Sequence, residues 1–232
     1  MDDLTVLLDE GLARLEIDLD AAARARLLAY MMLLKKWSEK INLIAKNSHD
    51  TEIVEHFLDS LALLPLFSDA PDAPATRLVD VGSGAGFPGL VLAAARPRLA
   101  TELIEPRQKR AAFLRQVIRS LALPHVACHE CRLEDISARS RQSIACTHIV
   151  SRAVAGIAGF LPMIKPWLVE GVQIICMKSR KWPEELAQAQ AVIGRLNLGQ
   201  PQVTTYRLPF SGAERVALVF TFPKTITSRY TL

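Results

Sequence analysis

With 232 residues, half of them hydrophobic, the chain can bury one sizeable core and is too apolar for a disordered polypeptide. No uninterrupted apolar run reaches bilayer-spanning length, the start (Met1-Asp2-Asp3) is acidic rather than signal-like, and four cysteines are too sparse for a disulfide scaffold. The expectation is a cytoplasmic protein with reduced thiols and no membrane partner. Charge is unevenly spread, with 7 basic and 12 acidic groups in residues 1–60, 11 and 5 in 96–152, and 9 and 4 in 153–232. A basic excess downstream of residue 96 fits a phosphate-rich partner facing that part of the molecule.

In chain order, Leu4 to Leu15 has helical spacing of apolar residues. Asp20 can cap a longer helix from Ala21 to about Asn42, and Glu52 to Leu66 is a third amphipathic helix. The turn-rich segment Ser68–Ala75 is the one plausible boundary, separating a helical extension (1–67) from an α/β domain (77–232), the two packed as one globular unit. Strands are predicted at Arg77–Val81, Thr101–Glu105, His125–Glu130, His148–Ser151, Val172–Lys178, Gln202–Leu208 and Arg215–Thr221. Helices fill the gaps at Pro88–Ala95, Arg107–Leu121, Ile157–Leu168 and Pro183–Leu196. The connection Pro209–Ala213 is too short for a crossover helix, so the last two strands should pair antiparallel. The pattern implies a Rossmann-like α/β fold with a seven-stranded, mostly parallel sheet closed by a C-terminal hairpin. An ordinary dinucleotide-binding half does not end that way, whereas a class I methyltransferase does.

The richest segment is Asp80-Val-Gly82-Ser-Gly84-Ala-Gly86-Phe87-Pro-Gly89, set between a predicted strand and a predicted helix. Glycines this dense let the backbone turn sharply and approach a ligand closely, and the helix start offers unpaired N–H groups. Gly84 to Gly89 matches the dinucleotide fingerprint, a weak signal alone. An acid at the strand end, Asp80, suits a cationic ligand such as S-adenosylmethionine and opposes a nearby pyrophosphate. Glu105, at the end of the next strand, can take ribose hydroxyls of either cofactor.

Further residues extend the pattern: Trp37 with Lys40–Leu43, His56-Phe-Leu-Asp59-Ser60, Lys109-Arg110, Phe113-Leu-Arg115, Arg132-Leu133-Glu134, Ser151-Arg152-Ala153 and Lys178. With Asp80–Gly89 they make the chain resemble the bacterial 16S rRNA guanine-N7 methyltransferases, the RsmG or glucose-inhibited division protein B family, over most of its length. The resemblance implies methyl transfer from S-adenosylmethionine to N7 of a guanosine in the 530 loop (guanosine 527), on naked 16S rRNA or a 30S subunit particle, by a monomer. Cofactor contacts carried over by position fall on Gly82, Phe87, Leu133, Glu134 and Arg152. Where the family often has Asn-Leu-Thr and Lys-Gly, this chain has Asn42-Leu43-Ile44 and Lys178-Ser179. No role is therefore assigned to a threonine hydroxyl or a flexible glycine there.

Guanine N7 has a free lone pair and no proton to lose, so its methylation needs orientation rather than a general base. No catalytic dyad is expected, and none is obvious in the sequence. Arg152, at the end of the fourth predicted strand, can fork to a carboxylate or a phosphate. Arg132 and Lys178 are further RNA-binding candidates, and His56 and Asp59, three apart on one helix face, are candidates for orienting the substrate. Cys128-His-Glu-Cys131 lacks a second ligand pair at zinc spacing, so no metal is expected. Two other readings stay open: an NAD-dependent oxidoreductase, and a non-catalytic RNA-binding or ribosome-assembly protein that keeps the fold.

Overall fold

The computed structural model describes residues 3–45, 48–67 and 75–223. The N-terminal part holds α1 (Asp3–Arg14), α2 (Ala21–Ser38) and α3 (Asp50–Leu61). Asp20 caps α2 as predicted, its carboxylate accepting from Ala23 N at 2.6 Å. Two predicted helices end early. The chain leaves α2 at Ser38 rather than Asn42, and α3 stops at Leu61, with a separate 3-10 turn at Leu64–Leu66 that holds Pro65. Proline there has no N–H to continue the α ladder. Most of the predicted boundary segment, residues 68–74, lies outside the described residues.

The remainder alternates strand and helix: β1 (Arg77–Val81), α4 (Gly89–Ala95), β2 (Ala100–Ile104), α5 (Gln108–Ser120), β3 (Val126–His129), α6 (Ala138–Ile144), β4 (His148–Arg152), α7 (Ile157–Ile164), β5 (Gln173–Lys178), α8 (Trp182–Arg195), β6 (Gln202–Arg207) and β7 (Glu214–Thr221). One seven-stranded sheet results, in the order β3-β2-β1-β4-β5-β7-β6. The first five strands pair parallel, and β7 pairs antiparallel with both β5 and β6. This is the expected fold, with the expected hairpin. Helix α6 was not predicted, because its polar sequence shows no apolar period; Ser137 Oγ caps it by accepting from Ser140 N at 3.2 Å. The predicted helix Ile157–Leu168 breaks at Ile164 into a 3-10 turn containing Pro166.

Strand residues alternate between two cores, as the period of two requires. Leu78, Val150, Ile175 and Ala217 face the side covered by α1–α5, while Val79, Ile149, Ile174 and Leu218 face α7 and α8. Apolar residues on both faces of β1, β4 and β5 mark strands covered on both sides. From β1 the chain moves outward to β2, and from β4 it moves the other way to β5. The carboxyl ends of β1 and β4 therefore flank the topological switch point, where open α/β sheets bind ligands.

The N-terminal helices grip this edge at two places. Glu55 of α3 accepts Phe210 N at 3.0 Å and Ser211 N at 2.5 Å in the β6–β7 turn, and Arg14 donates to Pro209 O at 2.6 Å. Tyr30, fully buried in α2, donates its hydroxyl to Ala85 O inside the glycine loop. Tyr30→Phe keeps the ring packing and leaves a buried carbonyl without its partner, which typically costs about 1–3 kcal/mol. We expect a loss of that size in urea unfolding; an unchanged midpoint would show that this carbonyl finds another donor.

Candidate active site

The glycine loop rests on backbone geometry that side chains resist. Gly82, Gly84 and Gly86 have φ of +71°, +60° and +94°. A Cβ at Gly86 would run into the Tyr30 hydroxyl, whereas one at Gly84 would meet nothing nearer than Arg110 Nη1 at 3.6 Å. Gly84 is thus the crest of the loop, where a Cβ would make only ordinary contacts and the left-handed φ is what calls for glycine. Glu105 fixes the crest from the end of β2, accepting Gly84 N and Arg107 N at 2.8 Å each.

Asp80 sits behind the loop rather than facing a ligand. It is fully buried, and Oδ2 accepts Gly89 N, at the first residue of α4, at 2.9 Å. Gly89 has to be glycine, since a Cβ would lie 2.6 Å from Asp80 Cβ. Oδ1 has no hydrogen-bond partner among the described residues. Burial raises the Asp80 pKa to about 7, against the opposing pull of the Gly89 N–H. The sequence reading set this acid against a ligand cation; the structure makes it the anchor between β1 and α4.

Beside the loop, β4 ends at Arg152, paired in register with Met177 of β5. Its guanidinium carbon stands 4.5 Å from the centroid of the Phe87 ring, and Nη1 reaches Asp59 Oδ2 at 3.2 Å. Asp59 Oδ1 accepts the Tyr206 hydroxyl at 2.8 Å and lies 3.7 Å from Arg215 Nε. The Asp59 side chain, only 7% exposed, therefore serves two guanidiniums and a phenol. Tyr206 and Arg215 are themselves register partners across the hairpin. Phe87 packs edge-on against Phe57 and lies 5.3 Å from the His56 ring, centroid to centroid. Phe87 is thus the seat of Arg152.

The next segment returns to the loop. Ala153 takes a left-handed φ of +58°, which costs a non-glycine residue about 1–2 kcal/mol, and Val154 fills the space where Gly82 lacks a Cβ. Lys178 holds this turn, donating to Ala155 O at 2.9 Å, and forms a 2.8 Å ion pair with Glu185 that lacks good hydrogen-bond geometry. A cleft of about 540 Å³ opens here, lined by His56, Asp59, Arg152, Lys178, Glu185 and Arg215 among others.

These features stand at the switch point of a sheet whose sequence matches one family model, GidB, described as rRNA small subunit methyltransferase G, over residues 23–209. The chain belongs to this family. It is 45% identical over 213 residues to the ribosomal RNA small subunit methyltransferase G of Desulfotalea psychrophila, covering 91% of this chain and 95% of that protein. Two solved structures share the fold. A human methyltransferase 10 domain containing protein has a TM-score of 0.56 at 12% identity, covering 88% of this chain and all of that one. M. jannaschii TYW2 in complex with AdoMet has a TM-score of 0.50 at 14% identity, covering 66% and 71%. Family membership displaces the oxidoreductase reading.

Of the residues singled out in the sequence, the structure brings His56, Asp59, Phe87, Arg152 and Lys178 together around one cleft. Gly82, Gly84, Gly86 and Glu105 form the adjoining loop. Leu133 is buried in a 3-10 turn, while Arg132 and Glu134 point outward, their side chains 72% and 57% exposed and 3.9 Å apart. Cys128 Sγ is directed at Ala111 O, 3.9 Å away. No group of three His, Cys, Asp or Glu is assembled for a metal among the described residues, and no helix there is long and apolar enough to cross a membrane. Sequence reasoning missed Tyr30, Tyr206, Arg215 and Glu185. The one available hint was the Tyr206–Arg215 pairing implied by the predicted hairpin.

Burial and the Arg152 charge lower the His56 pKa from 6.5 to about 4. Unfolded chains take up a proton near 6.5 that the folded protein refuses until about 4. This term therefore stabilises fully above 6.5 and is lost as pH falls toward 4, by at most about 3 kcal/mol. Asp80 has the opposite sign: its raised pKa favours the folded state at low pH, and that advantage fades as pH rises from about 4 to about 7. Comparison with His56→Gln isolates the first term. Wild type should lose more stability than the variant between pH 7 and pH 4.5 in urea titrations; parallel losses would show that His56 is not desolvated.

Proposed function

We propose that this chain transfers the methyl group of S-adenosylmethionine to N7 of a guanosine in small-subunit rRNA, guanosine 527 of the 530 loop. The observation that carries the choice of N7 is the state of the ionisable groups in the Arg152 cleft. Asp59 is committed to Arg152, Arg215 and Tyr206, and Glu185 is paired with Lys178. His56, held to a pKa of about 4, is a poor proton acceptor at neutral pH. Asp80, a carboxyl poised near 7, is sealed behind the loop. A cleft without a free base suits a nitrogen lone pair and would serve an exocyclic amine or a ribose hydroxyl badly.

The residues present fit the methyl donor. A ligand can approach the Gly84 backbone closely, since even a Cβ there would make only ordinary contacts, and Glu105 stands at the end of β2, where ribose hydroxyls are bound in such folds. Gly82, Gly84 and Gly86 would hold the donor through their backbone, Glu105 its ribose, Leu133 and Glu134 its adenine, and Arg152 its carboxylate. When bound, S-adenosylmethionine supplies an electrophilic methyl on a sulfonium. Lys178 and Arg152 would address guanine O6 or the adjoining phosphate, since a donor on N7 would occupy the lone pair that reacts. Naked 16S rRNA or a 30S particle is the partner, and a cytoplasmic monomer is the working form. In this reading residues 1–67 are a helical extension packed as one unit with the methyltransferase domain.

The test is incubation with radiolabelled S-adenosylmethionine and 16S rRNA or 30S particles that lack the modification, followed by mapping of the label. Label on guanosine N7 is expected. Label on an amine or a 2′-hydroxyl would overturn the argument from the missing base. Intact donor binding with no transfer would favour the non-catalytic assembly protein. Two variants sharpen the assay. Gly84→Trp fills the crest and should abolish donor binding in calorimetry while the fold persists; retained affinity would remove the donor from this loop. Arg152→Lys keeps a cation beside Asp59 but loses the planar fork, and should lower kcat at least tenfold with little change in Tm. Equal losses of stability and turnover would reduce Arg152 to a structural ion-pair partner.

A further inference from the structure

A second groove, of about 620 Å³, lies against the cleft and shares Arg215 with it. One wall is the start of α8 with Arg180 and Trp182; the other is the hairpin, with Tyr206, Arg207 and Arg215. The chain itself joins the two spaces, running from Lys178 and Ser179 in the cleft to Arg180 and Trp182 in the groove within five residues. We propose that this groove takes the single-stranded RNA that leaves the cleft, with Trp182 stacking on a base next to the target nucleotide and Arg180 and Arg207 on its phosphates. The proposal rests on the methyltransferase reading above and deepens it.

Three observations carry it. Trp182 is only half-buried: part of it packs on the core beneath α7 and α8, it still lines the groove, and its indole N–H has no partner among the described residues. Arg180 is exposed and forms no ion pair among the described residues. Arg207 is paired with Glu214 at 2.7 Å, but both side chains are well exposed, and such pairs are weak enough to exchange for a phosphate. A nucleobase can reach the cleft only when it is out of its stack, which leaves its neighbours splayed and in need of a surface. Aromatic faces interleaved with arginines are what single strands bind, because every base has a π-face and every nucleotide a phosphate. A double helix would present neither the free base nor a shape that enters a groove between a helix start and a hairpin.

The probes are a fluorescently labelled 12-nucleotide single-stranded RNA, read by anisotropy, and the methylation assay above, read as KM for naked 16S rRNA. Trp182→Ala should weaken oligonucleotide binding and raise the RNA KM about tenfold, with donor affinity unchanged, and Trp182→Phe should recover most of the loss. Arg180→Gln and Arg207→Gln should each lower the slope of log Kd against log salt by about one. If Trp182→Ala also lowers Tm, these two exposed arginines and the phenylalanine variant carry the test. Oligonucleotide binding insensitive to all of these changes would overturn the proposal even if N7 methylation is confirmed. Defects seen with 30S particles but not with naked RNA would assign the groove to a protein and overturn it as well. Groove-dependent RNA binding in a protein that transfers no methyl group would support the groove and sink the methyltransferase reading instead.

Discussion

One buried carboxylate, Asp59, organises the working edge of the molecule. A charge so little exposed is tolerable only when paired and hydrogen-bonded, and Asp59 draws its partners from two distant parts of the chain. Arg152 comes from the end of β4, and Tyr206 and Arg215 come from the hairpin. Removing any one partner leaves the others to compensate a charge that has little access to water. Asp59 thus fixes where Arg152 stands, and Arg152 in turn lies over Phe87. Phe87 belongs to an aromatic group with Tyr30 and Phe57, and the Tyr30 hydroxyl holds the carbonyl of Ala85. A continuous set of contacts therefore runs from the hairpin, through α3, to the glycine loop.

Three acids near the switch point show how environment divides labour among identical groups. Asp59 is neutralised by cations, and Glu105 is satisfied by two backbone N–H groups. At Asp80 the Gly89 N–H, the neighbouring Ser83 hydroxyl and the more distant Arg152 charge pull the pKa down, but desolvation dominates and raises it to about 7. Asp59 has two guanidiniums and a phenol beside it, whereas Asp80 has no cation in contact. An acid at the end of the first strand thus serves the loop by anchoring α4, which explains why it precedes the glycines without touching what lies in front of them.

The sheet was legible because period-two apolar runs, glycine and proline are local signals. Its hairpin was legible because Pro209–Ala213 is too short to be anything else. The glycine loop was legible for the same reason: left-handed φ values at Gly82, Gly84 and Gly86 demand that residue type. What escaped was non-local. Asp59 meets Tyr206 across 147 positions, Arg152 across 93, and Tyr30 meets Ala85 across 55. No spacing rule links such pairs, since only the packing of α2 and α3 onto the sheet brings them together. Helix α6 escaped for the opposite reason, being held by a serine cap and tertiary packing rather than by its own periodicity.

The same chain of contacts bears on chemistry. A site built for proton transfer needs a base free to take a proton near neutral pH; here Asp59 is engaged by cations and His56 is desolvated. The arrangement instead holds cations rigidly at the edge of the glycine loop, where they can orient an anionic substrate but cannot accept a proton. In the proposed reaction rate would come from placement, so the demands would fall on the elements that hold Arg152 still. Those elements are α3 and the hairpin. The surface that would receive the rest of the RNA is built from the same hairpin and from the start of α8, so Arg215 borders both spaces. On that proposal RNA placement and Arg152 placement would both depend on one hairpin, and a shift of β6 and β7 would move both together.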